Sequence, residues 1–313
     1  MKICVVGAGA MGLLYGGCLS HIGHDVTLVG GRSIPVIKEK GLKMNTSWTG
    51  PVVVYPKACY ADELEGDFEL LILLTKTHQS RAAMDSVRHI LNDKMTVLSL
   101  QNGLGNKELL QDYVPTEQIM LGMTLYPSDL IAPGEIKSTF ADIGALVDAE
   151  GPLTERTKRI SAEMDKAGIK HIIGEGAWEF IWEKVIFNGT ANPLCALFGI
   201  SSEKLSEIGA YDLLYQMADE GVAIANAKGI PISKESMRNR IFNVLELKKP
   251  HAPSMLVDMI SGAKTEVDNI NGGLVREAKQ LGMPTPINDL IIQLIHLKEN
   301  SRGKEYDPAK SYH

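Results

Sequence analysis

The sequence predicts an α/β protein in which an N-terminal, doubly wound parallel sheet is followed by an all-helical C-terminal domain. In the first half, short segments rich in β-branched residues alternate with helical segments, as in parallel sheets. A glycine-rich turn directly follows the first of these segments. After about residue 175, a 3.6-residue periodicity replaces the alternation and clear strand signals end.

The strands are predicted from short apolar runs bounded by glycine or polar residues. They lie at residues 2–6, 25–29, 69–74, 96–100 and 121–126, and in the segment 136–147. The last segment follows the turn signal Pro133–Gly134 and is predicted to form an antiparallel edge. Helices are predicted at residues 12–21, 34–40 and 81–91. The near-continuous apolar runs at 69–74 and 96–100 are typical of parallel strands that are covered on both faces.

A domain boundary is predicted near residues 170–176, where Gly174 and Gly176 interrupt the pattern. The predicted domains are residues 1–172, which contain the parallel sheet, and residues 173–313, which are helical. The helical segments are expected to be broken at the prolines of this half, which are Pro193, Pro231, Pro250, Pro253 and Pro284. The polar tail, residues 301–313, is expected to fray.

Composition excludes several classes of function. The formal net charge of -6 provides no basic surface for nucleic acid. The sequence contains no run of 18 or more uncharged apolar residues, so no membrane span is expected. The N-terminus lacks the pattern of a secretory signal, so none is expected. The four cysteines are scattered without metal-ligand spacing, which favours reduced thiols, a cytoplasmic location and no metal site.

The glycine-rich turn has the G-x-G-x-x-G spacing of dinucleotide-binding, Rossmann-like sheets. It consists of Gly7, Ala8, Gly9, Ala10, Met11 and Gly12. The first glycine allows the tight turn, the second lets a pyrophosphate approach the backbone, and the third lets helix pack on strand. The phosphates would bind at the N-terminus of the helix, where the dipole favours anions. The alternative is a structural turn that binds no ligand.

The end of the second strand indicates which dinucleotide is bound. A site that prefers NAD places a carboxylate there for the ribose 2′-hydroxyl, whereas this chain has Gly30, Gly31 and Arg32. The guanidinium of Arg32 is suited to pairing with a 2′-phosphate, which favours NADP(H). The alternatives are a solvated loop arginine and the use of NAD.

Two further strand ends carry candidate cofactor residues. Lys76 follows the strand at 69–74, and Asn102 follows the strand at 96–100. In open parallel sheets, ligands bind outside the carboxyl ends of the strands. The alternatives are a surface lysine at Lys76 and an Asn102–Gly103 dipeptide that only makes a turn.

In the second half, Lys184, Asn188 and Asn192 recur at i, i+4 and i+8, which places them on one face of a helix. An ammonium group and two carboxamides are suitable donors for the carboxylate and carbonyl of a 2-keto acid, and the ammonium can supply a proton. The alternative is a solvated helix face that ends at an Asn-Pro step.

Two further candidates lie in residues 253–272. Ser254 follows Pro253 and precedes a helical pattern, so the alternative for it is a helix N-cap. Glu266 lies in a polar cluster, and the alternative for it is a surface carboxylate.

Five ordered motifs make the chain resemble the 2-dehydropantoate 2-reductase (ketopantoate reductase) family over essentially its whole length. They are GAGAMG, LLTKTHQ, LQNGLGN, WEKVIFNGTANPL and PSML...TEVDNING. The resemblance implies a Rossmann domain joined to a helical domain, with the active site in the cleft between them. It further implies NADPH-dependent reduction of 2-dehydropantoate to (R)-pantoate, on the route to pantothenate and coenzyme A.

The resemblance also implies roles for individual residues. Lys184 corresponds to the general acid, and Asn188, Asn192 and Ser254 correspond to substrate-binding positions. Asn102 corresponds to a residue that contacts both cofactor and substrate.

Other positions correspond to the family's cofactor site or depart from its pattern. Glu266 resembles the carboxylate near the nicotinamide ribose, and Lys76 resembles the lysine beside the cofactor. The family's 2′-phosphate arginine usually falls where this chain has Gly31, one position before Arg32. At Ser202 the family can carry an asparagine that helps to bind substrate.

Two other functions are compatible with these motifs. One is a D-2-hydroxyacid dehydrogenase acting on branched or aromatic 2-keto acids and able to use NADH. The other is a dinucleotide-sensing protein without catalysis. The expected partner is a small-molecule 2-keto acid, with no nucleic acid and no membrane, and the helical domain is a plausible surface for a homodimer.

Overall fold

A computed structural model describes residues 1–304 of the chain. Residues 305–313, part of the tail that was expected to fray, lie outside the described residues. The chain divides into two compact units, the first ending at Ile181 and the second beginning at Trp182. The division falls inside a helix that begins at Ala177.

The strands of the described residues all belong to the first unit. They are β1 Lys2–Val6, β2 Asp25–Val29, β3 Leu42–Thr46, β4 Gly50–Val54, β5 Lys57–Cys59, β6 Leu70–Leu73, β7 Thr96–Ser99, β8 Ile119–Thr124, β9 Asp129–Ala132, β10 Glu135–Ser138, β11 Gly144–Asp148 and β12 His171–Ile173.

The helices are found in both units. They are α1 Ala10–His21, α2 Ile34–Lys40, α3 Ser80–Ser86, α4 Asn106–Gln111, α5 Glu155–Lys166, α6 Ala177–Phe198, α7 Lys204–Glu207, α8 Tyr211–Ala227, α9 Lys234–Glu246, α10 Ser254–Ser261, α11 Asn271–Gln280 and α12 Pro286–Asn300.

The first unit is built on an eight-stranded sheet with the order β12-β11-β8-β7-β6-β1-β2-β5. The six adjacent strands β5, β2, β1, β6, β7 and β8 pair in parallel. Beyond them, β11 pairs antiparallel with β8, and β12 pairs in parallel with β11. The predicted parallel α/β sheet is therefore confirmed, with a mixed edge beyond β8.

Apolar cores cover both faces of this sheet. Ile3 and Val5 of β1 belong to one buried cluster, which includes residues of α1. Cys4 and Val6, which point to the opposite face, belong to a second cluster, which includes Met84 of α3. Burial on both faces explains why β1 and β6 are almost entirely apolar and could be predicted from their composition.

A second sheet of four strands, with the order β4-β3-β10-β9, was not predicted. Its strands alternate in burial or are exposed, and they contain few continuous apolar residues. The prediction that the segment 136–147 forms an antiparallel edge is confirmed in its antiparallel pairing with β8 but wrong in its position at the edge. The segment contains β10, which belongs to the small sheet, and β11, which pairs with β8 on one side and β12 on the other.

Two predicted helices differ in their bounds. α1 begins at Ala10, inside the glycine turn, rather than at Gly12. The helix predicted at 81–91 ends at Ser86 as α3 and is followed by a 3₁₀ turn at Arg88–Ile90. Both differences are confined to helix ends, where local hydrogen bonding decides the boundary.

The second unit is all-helical, as predicted. Pro231, Pro250, Pro253 and Pro284 lie outside the helices, but Pro193 lies inside α6, which continues to Phe198. The expectation that Pro193 breaks the helix is therefore wrong. The carbonyl of Gly189, which Pro193 cannot bond, instead accepts a hydrogen bond from the side chain of Asn271.

Two further properties bear on the class of protein. Among residues 1–304, no helix combines the length and the hydropathy needed to cross a membrane. The four cysteines are free thiols; Cys4, Cys18 and Cys195 are buried and Cys59 is half-buried. Burial raises the pKa of Cys18 and of Cys195 to about 12, so these thiols stay protonated at neutral pH.

Candidate active site

The glycine turn connects β1 to α1 and leaves the N-terminus of α1 open. Gly7 has φ +106°, and its N–H donates to the carbonyl of Val29 in β2 at 3.0 Å. Gly9 is the N-cap of α1, and no side chain caps this helix end. The first turn of α1 also contains no acidic residue. The unfilled N–H groups of this turn and the positive end of the helix dipole can therefore bind an anion.

The three glycines of the turn have different surroundings. A Cβ on Gly7 would lie 2.7 Å from the backbone nitrogen of Thr75, and one on Gly12 would lie 2.0 Å from the carbonyl oxygen of Gly7. A Cβ on Gly9 would meet nothing within 4 Å. Gly7 and Gly12 thus allow the backbone to pack on itself, whereas Gly9 keeps an open surface at the helix N-terminus, which fits an approaching pyrophosphate.

The remaining residues of the turn support this arrangement. Ala8 is buried, and Ala10 and Met11 are half-buried. The carbonyl of Ala10 accepts a hydrogen bond from the Ser128 hydroxyl at 2.8 Å. Ser128 was not singled out from the sequence, because it lies more than a hundred positions away and matches no motif.

The loop after β2 packs against the glycine turn. Gly30 and Gly31 have φ of +76° and +88°, and a Cβ on Gly31 would lie 3.1 Å from the carbonyl oxygen of Ala8. An arginine at position 31 would be strained by this conformation and crowded by this contact. Arg32 directly follows the two glycines and has no positive φ, and its side chain is exposed. The structure thus gives a reason for an arginine at 32 rather than 31.

The ends of β6 and β7 are joined by the buried side chain of Gln101. Its Nε2 donates to the carbonyl of Thr75 at 2.7 Å and to the hydroxyl of Ser80 at 2.7 Å. The predicted site residues Lys76 and Asn102 directly follow Thr75 and Gln101, and both are half-buried. Sequence reasoning gave Gln101 no role, because its burial, at 4% exposed, and its hydrogen-bond partners are visible only in the structure.

In the first unit, the candidate cofactor residues therefore lie together. The glycine turn abuts Thr75 at the end of β6, the loop after β2 abuts Ala8, and Gln101 links the ends of β6 and β7. All of these are carboxyl ends of parallel strands, where ligands bind in open α/β sheets.

In the second unit, α6 carries the amine and the two amides. The helix is continuous from Ala177 to Phe198, so Lys184, Asn188 and Asn192 share one helical face. Lys184 and Asn188 are half-buried, and Asn192 is 5% exposed. We call these three residues the Lys–Asn stripe. The alternatives of a solvated face and of a helix that ends at Asn-Pro are both wrong.

The neighbouring acidic side chain of α6 is neutralised within the same unit. Glu183, which precedes Lys184, accepts a hydrogen bond from Arg240 Nη1 at 2.6 Å. This pairing holds the Glu183 carboxylate on α9 and balances its charge next to the stripe.

The structure also tests the alternatives for Ser254 and Glu266. Ser254 is the exposed first residue of α10, whose N-cap is Pro253, so Ser254 is not an N-cap. Glu266 is 5% exposed, so it is not a surface carboxylate. Met255 and Val267, which follow these two residues, belong to one buried cluster.

That cluster also includes Ala196 of α6. The chain segments of the stripe, of Ser254 and of Glu266 therefore pack on a common core within the second unit. No group of three or more His, Cys, Asp or Glu side chains among residues 1–304 is arranged to hold a metal ion. The candidate site residues of this unit are instead one amine, two amides, one hydroxyl and the carboxylate of Glu266.

Comparisons with known proteins identify the family to which the chain belongs. The family model described as ketopantoate reductase PanE/ApbA matches residues 3–147, and the model of its C-terminal part matches residues 177–299. A 2-dehydropantoate 2-reductase from Pyrococcus abyssi is 33% identical, covering 97% of this chain and all of that protein.

Two solved structures are similar over nearly the whole chain. D-mandelate dehydrogenase with NADH and anilino(oxo)acetate is 28% identical, covers 96% of this chain and 99% of its own, and has a TM-score of 0.89. A 2-dehydropantoate 2-reductase from Geobacter metallireducens GS-15 is 25% identical, with a TM-score of 0.88, and covers 95% of this chain and 99% of its own. Together with the family models, these similarities show that the chain belongs to the ketopantoate reductase PanE/ApbA family of oxidoreductases.

Proposed function

We propose that this protein reduces a 2-keto acid with NADPH, and that the keto acid is 2-dehydropantoate, giving (R)-pantoate for pantothenate and coenzyme A. The observation that carries the proposal is the Lys–Asn stripe, in which one amine and two amides share a face of α6. A 2-keto acid needs donors for its carboxylate and its carbonyl, together with a proton source, and the stripe supplies these groups. The similarity to 2-dehydropantoate 2-reductases along the full chain supports the choice of substrate.

The cofactor would be held by residues of the first unit. The open N-terminus of α1, with Gly9 at its N-cap, binds the pyrophosphate, and Arg32 binds the 2′-phosphate. Lys76 and Asn102 contact the cofactor from the ends of β6 and β7. When bound, NADPH supplies the hydride that reduces the keto carbon.

The remaining roles belong to residues of the second unit. Lys184 donates a proton to the carbonyl oxygen as it becomes an alkoxide, so the ketone gains one hydride and one proton and becomes an alcohol. Asn188, Asn192 and Ser254 orient the substrate by hydrogen bonds. Glu266 binds near the nicotinamide ribose. We further propose that the enzyme is cytoplasmic, acts as a homodimer, and binds neither nucleic acid nor membranes.

The central experiment replaces Lys184 by methionine and follows NADPH oxidation with 2-dehydropantoate. Methionine keeps the length of the side chain but removes the ammonium, so kcat is expected to fall about 10²–10⁴-fold, the scale of a positioned general acid. The dissociation constant for NADPH is expected to remain unchanged.

The matched control is Lys204→Met, which removes an exposed lysine of the same unit that pairs with Glu207 on α7. This variant is expected to keep its kcat. A Lys184→Met enzyme whose kcat stays within a few-fold of the parent would refute the assigned role.

A second candidate function is a D-2-hydroxyacid dehydrogenase acting on branched or aromatic 2-keto acids. It is favoured by the similarity to D-mandelate dehydrogenase with NADH and by Ser202 in a position where the family can carry a substrate-binding asparagine. Ser202 is buried, and its backbone N–H donates to the carbonyl of His251 at 2.9 Å.

A panel of 2-oxo acids tested with both NADPH and NADH separates the candidates. Highest kcat/KM for 2-dehydropantoate supports the first proposal, and highest kcat/KM for a branched or aromatic substrate supports the second. Tight binding of a dinucleotide without turnover of any substrate would support the non-catalytic alternative.

A further inference from the structure

Helix α6 contains a proline at a position where a helix normally ends. Pro193 has no N–H, so it cannot donate to the carbonyl four residues earlier, which is that of Gly189. The proline ring also crowds that carbonyl. The helix nevertheless continues to Phe198, so the Gly189 carbonyl needs another donor.

That donor is a side chain from another helix. Asn271, the first residue of α11, is fully buried, and its Nδ2 donates to the Gly189 carbonyl at 2.7 Å. A Cβ on Gly189 would lie 3.4 Å from the same Nδ2, so the glycine leaves room for the amide. The amide of Asn271 thus replaces the hydrogen bond that Pro193 cannot make.

Asn271 is itself held in place by buried polar groups. Its Nδ2 also donates to Asn288 Oδ1 at 2.9 Å, and Asn288 Nδ2 donates to Glu220 Oε2 at 2.6 Å. The Glu220 carboxylate accepts the backbone N–H groups of Ile287 and Asn288 at 2.9 and 3.0 Å, at the start of α12. The donor is therefore anchored by α8 and α12, both of which belong to the second unit.

The position of the freed carbonyl connects this network to the proposed site. Gly189 directly follows Asn188, and Pro193 directly follows Asn192, so the irregular turn of α6 lies between two residues of the Lys–Asn stripe. We propose that Asn271 is a positioning residue of the reductase: by fixing the Gly189 carbonyl, it fixes the relative orientation of Asn188 and Asn192. This inference rests on the proposed function of the stripe. Misplacement of a substrate-orienting group by about 1 Å can lower the rate about 100-fold.

A double-mutant cycle tests the inference. In the parent chain, Asn271→Ala is expected to lower kcat for the 2-keto acid about 10–100-fold, with an unchanged dissociation constant for NADPH. In Pro193→Ala, the new N–H can bond the Gly189 carbonyl, so adding Asn271→Ala is expected to lower kcat by less than about three-fold. Equal losses in the two backgrounds would overturn the proposal.

A matched control separates positioning from general loss of packing. Asn226→Ala removes another side-chain amide of the second unit, which bonds the backbone of Ile232 after α8 and has no contact with Asn271, so it is expected to keep kcat within about three-fold while lowering the midpoint of thermal unfolding. A kcat loss in this variant as large as that of Asn271→Ala would contradict the assigned role.

Asn271→Leu, which keeps the volume but has no donor, provides a second variant if the alanine form does not fold, and the same kcat loss is expected of it. If the parent enzyme reduces no 2-keto acid, the proposed function fails. The pairing of Asn271 with Pro193 is then tested by comparing the shifts in unfolding midpoint of Asn271→Ala, Pro193→Ala and the double variant. If the two single shifts add up to the shift of the double variant, the pairing is overturned as well.

Discussion

Replacing Gly9 by alanine should separate cofactor binding from folding, because the space around this residue is open while that around its neighbours is filled. Gly9 has φ −84° and ψ −169°, an extended conformation that alanine adopts without strain. An added Cβ would meet no atom within 4 Å. The substitution is therefore expected to leave the free energy of unfolding unchanged or to raise it by about 0.4–1 kcal/mol, since alanine restricts the unfolded chain.

The effect on binding should be opposite in sign. The added methyl group would stand at the open N-terminus of α1, where the pyrophosphate is proposed to approach the backbone. Loss of one charge-assisted hydrogen bond there costs about 1.5–3 kcal/mol. Because each 1.4 kcal/mol is a factor of ten, the dissociation constant for NADPH should rise about 10–100-fold.

Gly12→Ala is the matched contrast within the same turn. Its Cβ would lie 2.0 Å from the carbonyl oxygen of Gly7 and 3.0 Å from the carbonyl carbon, so backbone atoms must move. Such overpacking costs about 3 kcal/mol, and for a unit of this size the unfolding midpoint should fall by about 6–12 °C.

Titration of NADPH by calorimetry, together with thermal unfolding of the unliganded protein, measures both quantities. A Gly9→Ala protein that binds NADPH as tightly as the parent would refute the assignment of the turn. A Gly12→Ala protein with an unchanged midpoint would show that the glycine packing is not needed for the fold.

Three further predictions concern single side chains of the first unit. Burial lowers the pKa of His171 from 6.5 to about 4, so on acidification the unfolded chain takes up the proton before the folded chain does, and the free energy of unfolding should fall by about 1.6 kcal/mol between pH 6.5 and pH 5. Urea unfolding at the two pH values should show this loss in the parent but not in His171→Gln. Gln101→Leu removes the donor that links two strand ends and should weaken NADPH binding about 10-fold, whereas the exposed control Gln111→Leu should not, and equal affinities in both would contradict the role of Gln101. Arg32→Ala should lower kcat/KM for NADPH about 10–100-fold and leave that for NADH unchanged; an unchanged preference would remove Arg32 from the 2′-phosphate site.

The central sheet and the glycine turn could be predicted because their signals are local. β1 and β2 are short apolar runs whose bounds match the prediction, and the turn between β1 and α1 has a fixed spacing of glycines. Burial on both faces leaves these strands little choice of composition. The stripe on α6 was predictable for a similar reason, since helical spacing alone places its residues on one face.

The small second sheet was not predicted, because its strands have weak signals and the pairing that joins its two hairpins, β3–β4 and β9–β10, is not local. β3 alternates buried and exposed residues and pairs in parallel with β10, a strand far away in the chain. Its sequence, LKMNT, has little strand character of its own. The structure of such a segment is decided by its neighbours in space, which no pattern within the segment reveals.

The candidate site shows the same division between residues that face a ligand and residues that hold them. Lys76 and Asn102 could be found because they interrupt an apolar pattern at the end of a strand. Gln101 and Asn271 could not be assigned a role, because nothing in their own segments says which carbonyl needs a donor.

Both of these buried amides have the same task at two different points of the chain. Gln101 donates to the carbonyl of Thr75 just beyond the end of β6, and Asn271 donates to a carbonyl of α6 that a proline has deprived of its partner. A buried carbonyl without a donor is costly, so another group must supply one where regular hydrogen bonding stops, and in these two places the group is a side-chain amide. Because functional residues also cluster where regular structure stops, the donors that satisfy such carbonyls should be the residues that set the geometry of the site. The double-mutant cycle of Asn271 and Pro193 tests this argument at its clearest point, since the proline alone creates the need that the asparagine meets.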